Sequence, residues 1–225
     1  MKHDLIIRGG KLVTATETYT ADIGIKDGRI ATLGEDLDGN DIINADKKLV
    51  MPGGIEAHCH IAQESANGIM TSDDYETGSI SAAFGGNSCF VPFAAQKKGE
   101  SIASTIAEYD RRAETKSVID YSYHLILTDP NENVMNELPS AFERGITSFK
   151  VFMTYATRVS DAQFLDILTI ARRHGGLTMV HAENHDMLSW MSNALTQAGY
   201  TEPRYHAPAR PSLAEEEAIN RAISL

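Results

Sequence analysis

From residue 48 onward, short apolar runs alternate with stretches whose apolar residues recur at helical spacing. The runs lie near 49–58, 86–93, 118–128, 147–153 and 177–182. Their ends repeat about every thirty residues, the length of one strand-plus-helix unit. Between them, Ile102, Ile106 and Tyr109, and then Phe164, Ile167, Leu168 and Ala171, follow the periodicity of a single helix face. Ser160 with Gln163, and Ser212 with Glu215, carry the capping-box pattern of a helix start. Strands separated by helices predict parallel pairing. The first fifty residues differ in kind. Residues 4–13 read as strand and turn, and 21–33 as two runs joined at Asp27-Gly28, a pair suited to a tight hairpin. Two parts are therefore expected, a small β-element over 1–50 and an α/β part over 51–225.

Five strand–helix units do not close an eight-stranded barrel, and the residues after 50 fall short of the roughly 250 typical of that fold. The last helix, with Ala218, Ala222 and Leu225 at its apolar positions, reaches the final residue without a Gly or Pro stop. The expectation is a partial (β/α) TIM-type barrel of about the first five strands, in a truncated chain.

Composition narrows the function classes. The chain has 225 residues, 42% of them hydrophobic, enough for one large core or two unequal ones. Twenty Lys and Arg against 31 Asp and Glu give a net charge of -11, which opposes affinity for nucleic acid or anionic lipid. The amino-terminal apolar run breaks off too early for a signal peptide, and no stretch approaches the ~18 apolar residues of a membrane span, so a soluble cytoplasmic protein is expected. Cys59 and Cys89 form no Cys-x-x-Cys motif, and both fall in predicted strands, where buried reduced thiols are expected.

The candidate chemistry starts at Met51-Pro-Gly-Gly-Ile-Glu-Ala-His58-Cys-His60. In a strand, residues i and i+2 share a face, so both imidazoles can reach one metal ion. Lys150, in Ser-Phe-Lys-Val-Phe-Met-Thr-Tyr155, and His181, in Thr-Met-Val-His-Ala-Glu-Asn, lie near the ends of later runs. Parallel barrels gather strand ends on one face, which would bring His58, His60, Lys150 and His181 together. A cationic lysine repels metal. In an apolar strand its neutral form is favoured, and a neutral amine can add carbon dioxide to become a carbamate, an oxygen donor able to bridge two cations. Against these readings stand two polar strand-end histidines, a snorkelling lysine, a core histidine and a packed Tyr155. His124 reads as a buried, hydrogen-bonded residue, and Glu183 and Asn184 as site-orienting groups or as an exposed loop.

The segments Val-Met-Pro-Gly-Gly-Ile-Glu-Ala-His-Cys-His, Ser-Asp-Asp-Tyr-Glu-Thr-Gly, Ile-Thr-Ser-Phe-Lys-Val-Phe-Met-Thr-Tyr, Val-His-Ala-Glu-Asn and Ala-Arg-Pro, in this order, resemble the amino-terminal half of the dihydropyrimidinase and hydantoinase family, cyclic amidohydrolases of the amidohydrolase superfamily. The resemblance implies a β-sandwich contributed in part by residues 1–50, ahead of the barrel. It implies two divalent ions, zinc, with His58 and His60 on one, His181 on the other, and carboxylated Lys150 bridging both. It also implies that Tyr155 binds the substrate and its developing oxyanion, and that the complete protein is a homo-oligomer, a tetramer. The implied reaction is hydrolysis of a ring amide by a metal-bridging hydroxide. The family's proton-transferring aspartate and its second histidine for the second metal belong to later sequence, so these 225 residues alone are expected to be inactive.

Dihydroorotases and allantoinases resemble one another in carrying arginine two residues after the second histidine, where this chain has Ala62. An uncharged cyclic ureide or imide, a dihydropyrimidine or a 5-substituted hydantoin, is therefore the expected substrate. The loop 61–72, with Gln63, Glu64 and Asn67, is more polar than is usual in hydantoinases. An allantoinase-like hydrolase and a non-catalytic scaffold like the dihydropyrimidinase-related proteins stand as alternatives, the latter opposed by all four candidate ligands being present.

Overall fold

The computed structural model describes residues 2–65 and 68–225; Asn67, singled out in the substrate loop, lies outside them. The chain divides into two compact units, Met1–Gly54 and Ile55–Leu225.

The first unit is one five-stranded sheet. Strands β1 (His3–Val13), β2 (Thr18–Lys26), β3 (Arg29–Gly34) and β4 (Gly39–Asn44) lie in the order β3-β2-β1-β4, and the two-residue β5 (Leu49–Val50) also pairs with β1. β2 and β3 form the hairpin expected at Asp27-Gly28. Both residues take left-handed φ, 51° and 72°, the geometry that matches a two-residue turn to the twist of its strands. Ile6, Leu12 and Ile23 are its buried apolar residues.

The second unit runs β6 (Gly54–Cys59), α1 (Tyr75–Phe84), β7 (Asn87–Ala95), α2 (Ile102–Ala113), β8 (Asp120–Tyr121), β9 (His124–Ile126), α3 (Glu132–Glu143), β10 (Ser148–Phe152), α4 (Asp161–His174), β11 (Leu177–His181), α5 (His185–Gln197), a 3-10 turn (Pro203–Tyr205) and α6 (Ser212–Ser224). The sheet order is β11-β10-β9-β7-β6, with β8 beside β7, and the sheet curls as a parallel half-barrel. Its helix-facing side carries the core. Phe149 and Val151 of β10, Leu125 of β9 and Ala94 of β7 meet Ile102 and Ile106 of α2, Leu138 of α3 and Ile167 of α4, all essentially inaccessible.

Three sequence expectations change in detail. The run 49–58 is two strands, because Pro52 lacks an amide donor; β5 joins the first sheet and β6 the second. The run 118–128 breaks between Tyr121 and His124, although both pieces keep one register against β7, Phe90 opposite Tyr121 and Phe93 opposite His124. The capping box at Ser212 and Glu215 does not form: α6 starts after Pro211 with no side-chain cap, whereas Ser160 and Gln163 cap α4 reciprocally as expected. Cys59 and Cys89 are free thiols in strands, and burial pushes the Cys59 thiol up to about 11.

Candidate metal centre

Strand register decides which side chains share the concave face. Phe149 and Val151 point to the helices, so Lys150 and Phe152, alternating with them, point the other way. Lys150 lies opposite Ile126 of β9 and Met179 of β11, and Phe152 opposite His181. Phe93 of β7 lies opposite His124, on the same face two strands from Lys150.

Phe93 is the hub of this face. Its ring, fully buried, has the His60 imidazole stacked on it at 4.6 Å between centroids and His58 edge-on at 4.7 Å. The two imidazoles are 5.7 Å apart. The Lys150 Nζ is 6.0 Å from the centre of the Phe93 ring and 5.5 Å from that of Phe152. Phe152 in turn stacks on His181 at 5.5 Å. All four residues singled out in the sequence thus lie on one chain of ring contacts, His58 and His60 through Phe93 to Lys150, and Lys150 through Phe152 to His181.

Electrostatics favour neutral donors here. Burial lowers the Lys150 ammonium below the ordinary lysine range. Among the described residues, lysine ion pairs are those of Lys26, Lys97 and Lys116, so no carboxylate holds Lys150 charged. Desolvation, then the positive charges of Lys150 and His60, push the His58 imidazole down, toward the form that binds metal.

His124 is buried and structural, as its sequence context suggests. One ring nitrogen pairs with Ser148 Oγ and the other with the Ala57 carbonyl at 2.9 Å, which ties β9 to β10 and to the backbone just before His58. Gln63 Oε1 lies 2.6 Å from His60 Nδ1. Ala62 is buried with φ 47°; its amide donates to Asp73 and its carbonyl accepts from Arg112. Tyr155, three residues beyond β10, takes φ 68°, a left-handed conformation that a bulky residue adopts only when its surroundings impose it. Its hydroxyl sits 3.4 Å from both His181 Nε2 and Glu183 Oε2.

The sequence by itself assigns no role to Phe93, Gln63 or Arg210 and leaves that of Glu183 open. Phe93 was one apolar letter in a strand. Arg210, just before α6, donates to both Glu183 oxygens at 2.9 and 2.8 Å, a contact across 27 residues that no spacing announces. Burial alone would raise the Glu183 carboxyl; hydrogen bonds from His181 and Arg210 outweigh it and hold the group below the usual range. Asn184 turns to another task, capping α5 through Met187 N and reaching Glu217 of α6.

Among the described residues, no group of three His, Cys, Asp or Glu side chains could hold an ion by itself. The set around Phe93 and Phe152 fits a cation once Lys150 is converted to an anionic oxygen donor, because three imidazoles and one carbamate supply the kinds of N and O ligand that divalent zinc accepts. Among the described residues, no helix is long and apolar enough to cross a membrane.

No family model matches the chain. It is 41% identical over 225 residues to a D-hydantoinase of Geobacillus stearothermophilus, covering 98% of this chain and 48% of that protein. It is 34% identical over 231 residues to a dihydropyrimidinase of Rattus norvegicus, covering 98% of this chain and 44% of the other. The crystal structure of a dihydropyrimidinase from Brevibacillus agri superposes with a TM-score of 0.93 at 41% identity, over all of this chain and 49% of that one. The chain spans about half the length of the curated relatives it matches.

Proposed function

Because this chain is homologous over its whole length to the amino-terminal half of the D-hydantoinases and dihydropyrimidinases, we propose that it provides most of the metal centre of a hydrolase that opens an uncharged cyclic ureide or imide. The observation that carries the reading is the shared face of β6, β7, β10 and β11, where His58, His60, Lys150 and His181 are linked through Phe93 and Phe152. His58 and His60 would hold one divalent ion, most simply zinc, and His181 a second, while Lys150, carboxylated, would supply anionic oxygens to both.

Such ions, when bound, lower the pKa of water and polarise a carbonyl oxygen, which makes amide hydrolysis possible near neutral pH. The chain's own residues set the geometry. Lys150, with no carboxylate partner and its ammonium disfavoured by burial, presents an amine free to take up carbon dioxide. Phe93 and Phe152 form an apolar floor that keeps water from the back of the imidazoles. The Tyr155 hydroxyl, placed by a strained backbone beside His181, donates to the oxygen of the ring carbonyl as negative charge develops on it. Transfer of a proton to the leaving nitrogen is assigned to no residue of this chain. Ala62, buried at the position where dihydroorotases carry arginine, itself offers no cationic side chain to a substrate carboxylate, which favours uncharged rings.

The test is zinc content and ring opening of dihydrouracil and hydantoin by the full-length protein, measured with and without bicarbonate. Lys150→Ala should lose the second zinc and the activity together, and short carboxylic acids should restore part of both. Full zinc content and normal turnover in Lys150→Ala would overturn the bridging role.

A further inference from the structure

The two rings at the ends of the centre are held differently. His60 Nδ1 faces the Gln63 amide, whose oxygen and nitrogen can exchange places by a flip, so that contact does not dictate which ring nitrogen carries the proton. His181 faces a carboxylate. Its Nε2 lies 2.6 Å from Glu183 Oε2, and an ionised carboxylate only accepts hydrogen bonds, so the proton must sit on Nε2.

We propose that Glu183, clamped by Arg210, is the positioning residue that fixes the tautomer and orientation of His181, binding its Nε2–H and leaving Nδ1 as the nitrogen offered to a cation. This assignment rests on the reading of His181 as a ligand. Glu183 follows His181 by two residues at the mouth of β11, so on its own it is a mobile acceptor on a short tether. Arg210 removes that mobility. Its Nη1 reaches both carboxylate oxygens, and the Glu183 side chain keeps only 16% of its exposure. The same pair reaches the other working group of this rim: the Tyr155 hydroxyl lies 3.4 Å from Glu183, and the Arg210 guanidinium carbon sits 5.5 Å from the centre of the Tyr155 ring. Phe152 stacked on His181 restricts rotation of the imidazole about the remaining bond. A carboxylate behind a ligating imidazole also makes the free nitrogen more basic, and losing such a partner typically weakens metal binding about 10–100-fold.

The experiment uses the protein 15N-labelled in histidine, metal-free and near neutral pH, followed by zinc titration against a competing chelator. The expected spectrum shows His181 with its proton on Nε2, protected from solvent exchange. Glu183→Ala should lose that protection while the amide spectrum stays dispersed, and should bind zinc about 10–100-fold more weakly. Glu183→Gln, which keeps an accepting oxygen, should recover part of both. Arg210→Ala, which removes the nitrogen that donates to both Glu183 oxygens, should weaken the protection, and it decides the matter if Glu183→Ala does not fold. A proton on Nδ1, an unprotected Nε2–H in the unsubstituted protein, or unchanged zinc affinity in Glu183→Ala would overturn the proposal. Failure of the unsubstituted protein to take up zinc while the Nε2–H signal is intact would instead overturn the ligand reading on which it rests, so the two failures are told apart.

Discussion

Replacing Phe93 should separate the packing of the candidate centre from its chemistry. The ring is fully buried and meets three imidazoles, His60 at 4.6 Å, His58 at 4.7 Å and His124 at 5.1 Å between centroids. Phe93→Ala deletes a buried aromatic and leaves a cavity, expected to destabilise the fold by about 3–5 kcal/mol. Phe93→Leu keeps most of the apolar volume and forfeits only the ring contacts. Ring pairs contribute about 0.5–1.5 kcal/mol each beyond their area. His58 and His60 are exposed, so their contacts belong at the low end and the buried His124 contact higher, for a total of about 2–2.5 kcal/mol. Urea unfolding followed by circular dichroism measures both losses, with an unchanged m-value confirming that the same surface unfolds. Zinc affinity should also fall in Phe93→Leu, because a branched aliphatic side chain offers no flat face against which His60 can hold its plane. A Phe93→Leu protein as stable as the unsubstituted one and binding zinc equally tightly would show the ring to be a filler and not a floor.

Other expectations follow from particular contacts. His124→Leu leaves the buried Ser148 hydroxyl and the Ala57 carbonyl without their partner, and should destabilise by about 1–3 kcal/mol in the same unfolding assay. In Gly176→Ala the new Cβ would lie 2.8 Å from the Phe142 ring and 3.1 Å from the Thr147 carbonyl; overpacking of this kind costs about 1–3 kcal/mol, and a neutral result would mean the start of β11 shifts freely. Asp74 caps α1 through the amides of Glu76 and Thr77, and the hydrogen bond from Lys116 lowers its carboxyl to about 2. Its folded value is thus below the unfolded 3.8, so the stability that its charge contributes is complete above pH ~4 and lost as pH falls through about 2. Asp74→Asn should therefore lower the thermal midpoint at neutral pH, and its difference from the unsubstituted protein should shrink toward pH 2. A difference that is constant with pH would show that the cap, not the charge, is what matters.

Much of this was legible in the sequence because it is written in local periods. Alternation of apolar runs with helical spacing located β7, β10, β11, α2 and α4, since strands and helices bury faces that repeat at fixed intervals. Asp27-Gly28 marked the hairpin because few residue pairs tolerate two left-handed positions. His58 and His60 share a face by the period of a strand alone, and the same period turns Lys150 away from Phe149 and Val151. What lies between strands has no local signature. That Phe93 underlies His58 and His60, and that Phe152 carries the contact from Lys150 to His181, follows from parallel register across β6, β7, β9, β10 and β11, which depends on how the sheet curls. Pro52 marks the break within 49–58, but which sheet each piece joins was decided by its pairing partners. Arg210 is the clearest case: it reaches Glu183 from 27 residues away, through the return of the chain after α5, and only folding converts that separation into a hydrogen bond of 2.8 Å.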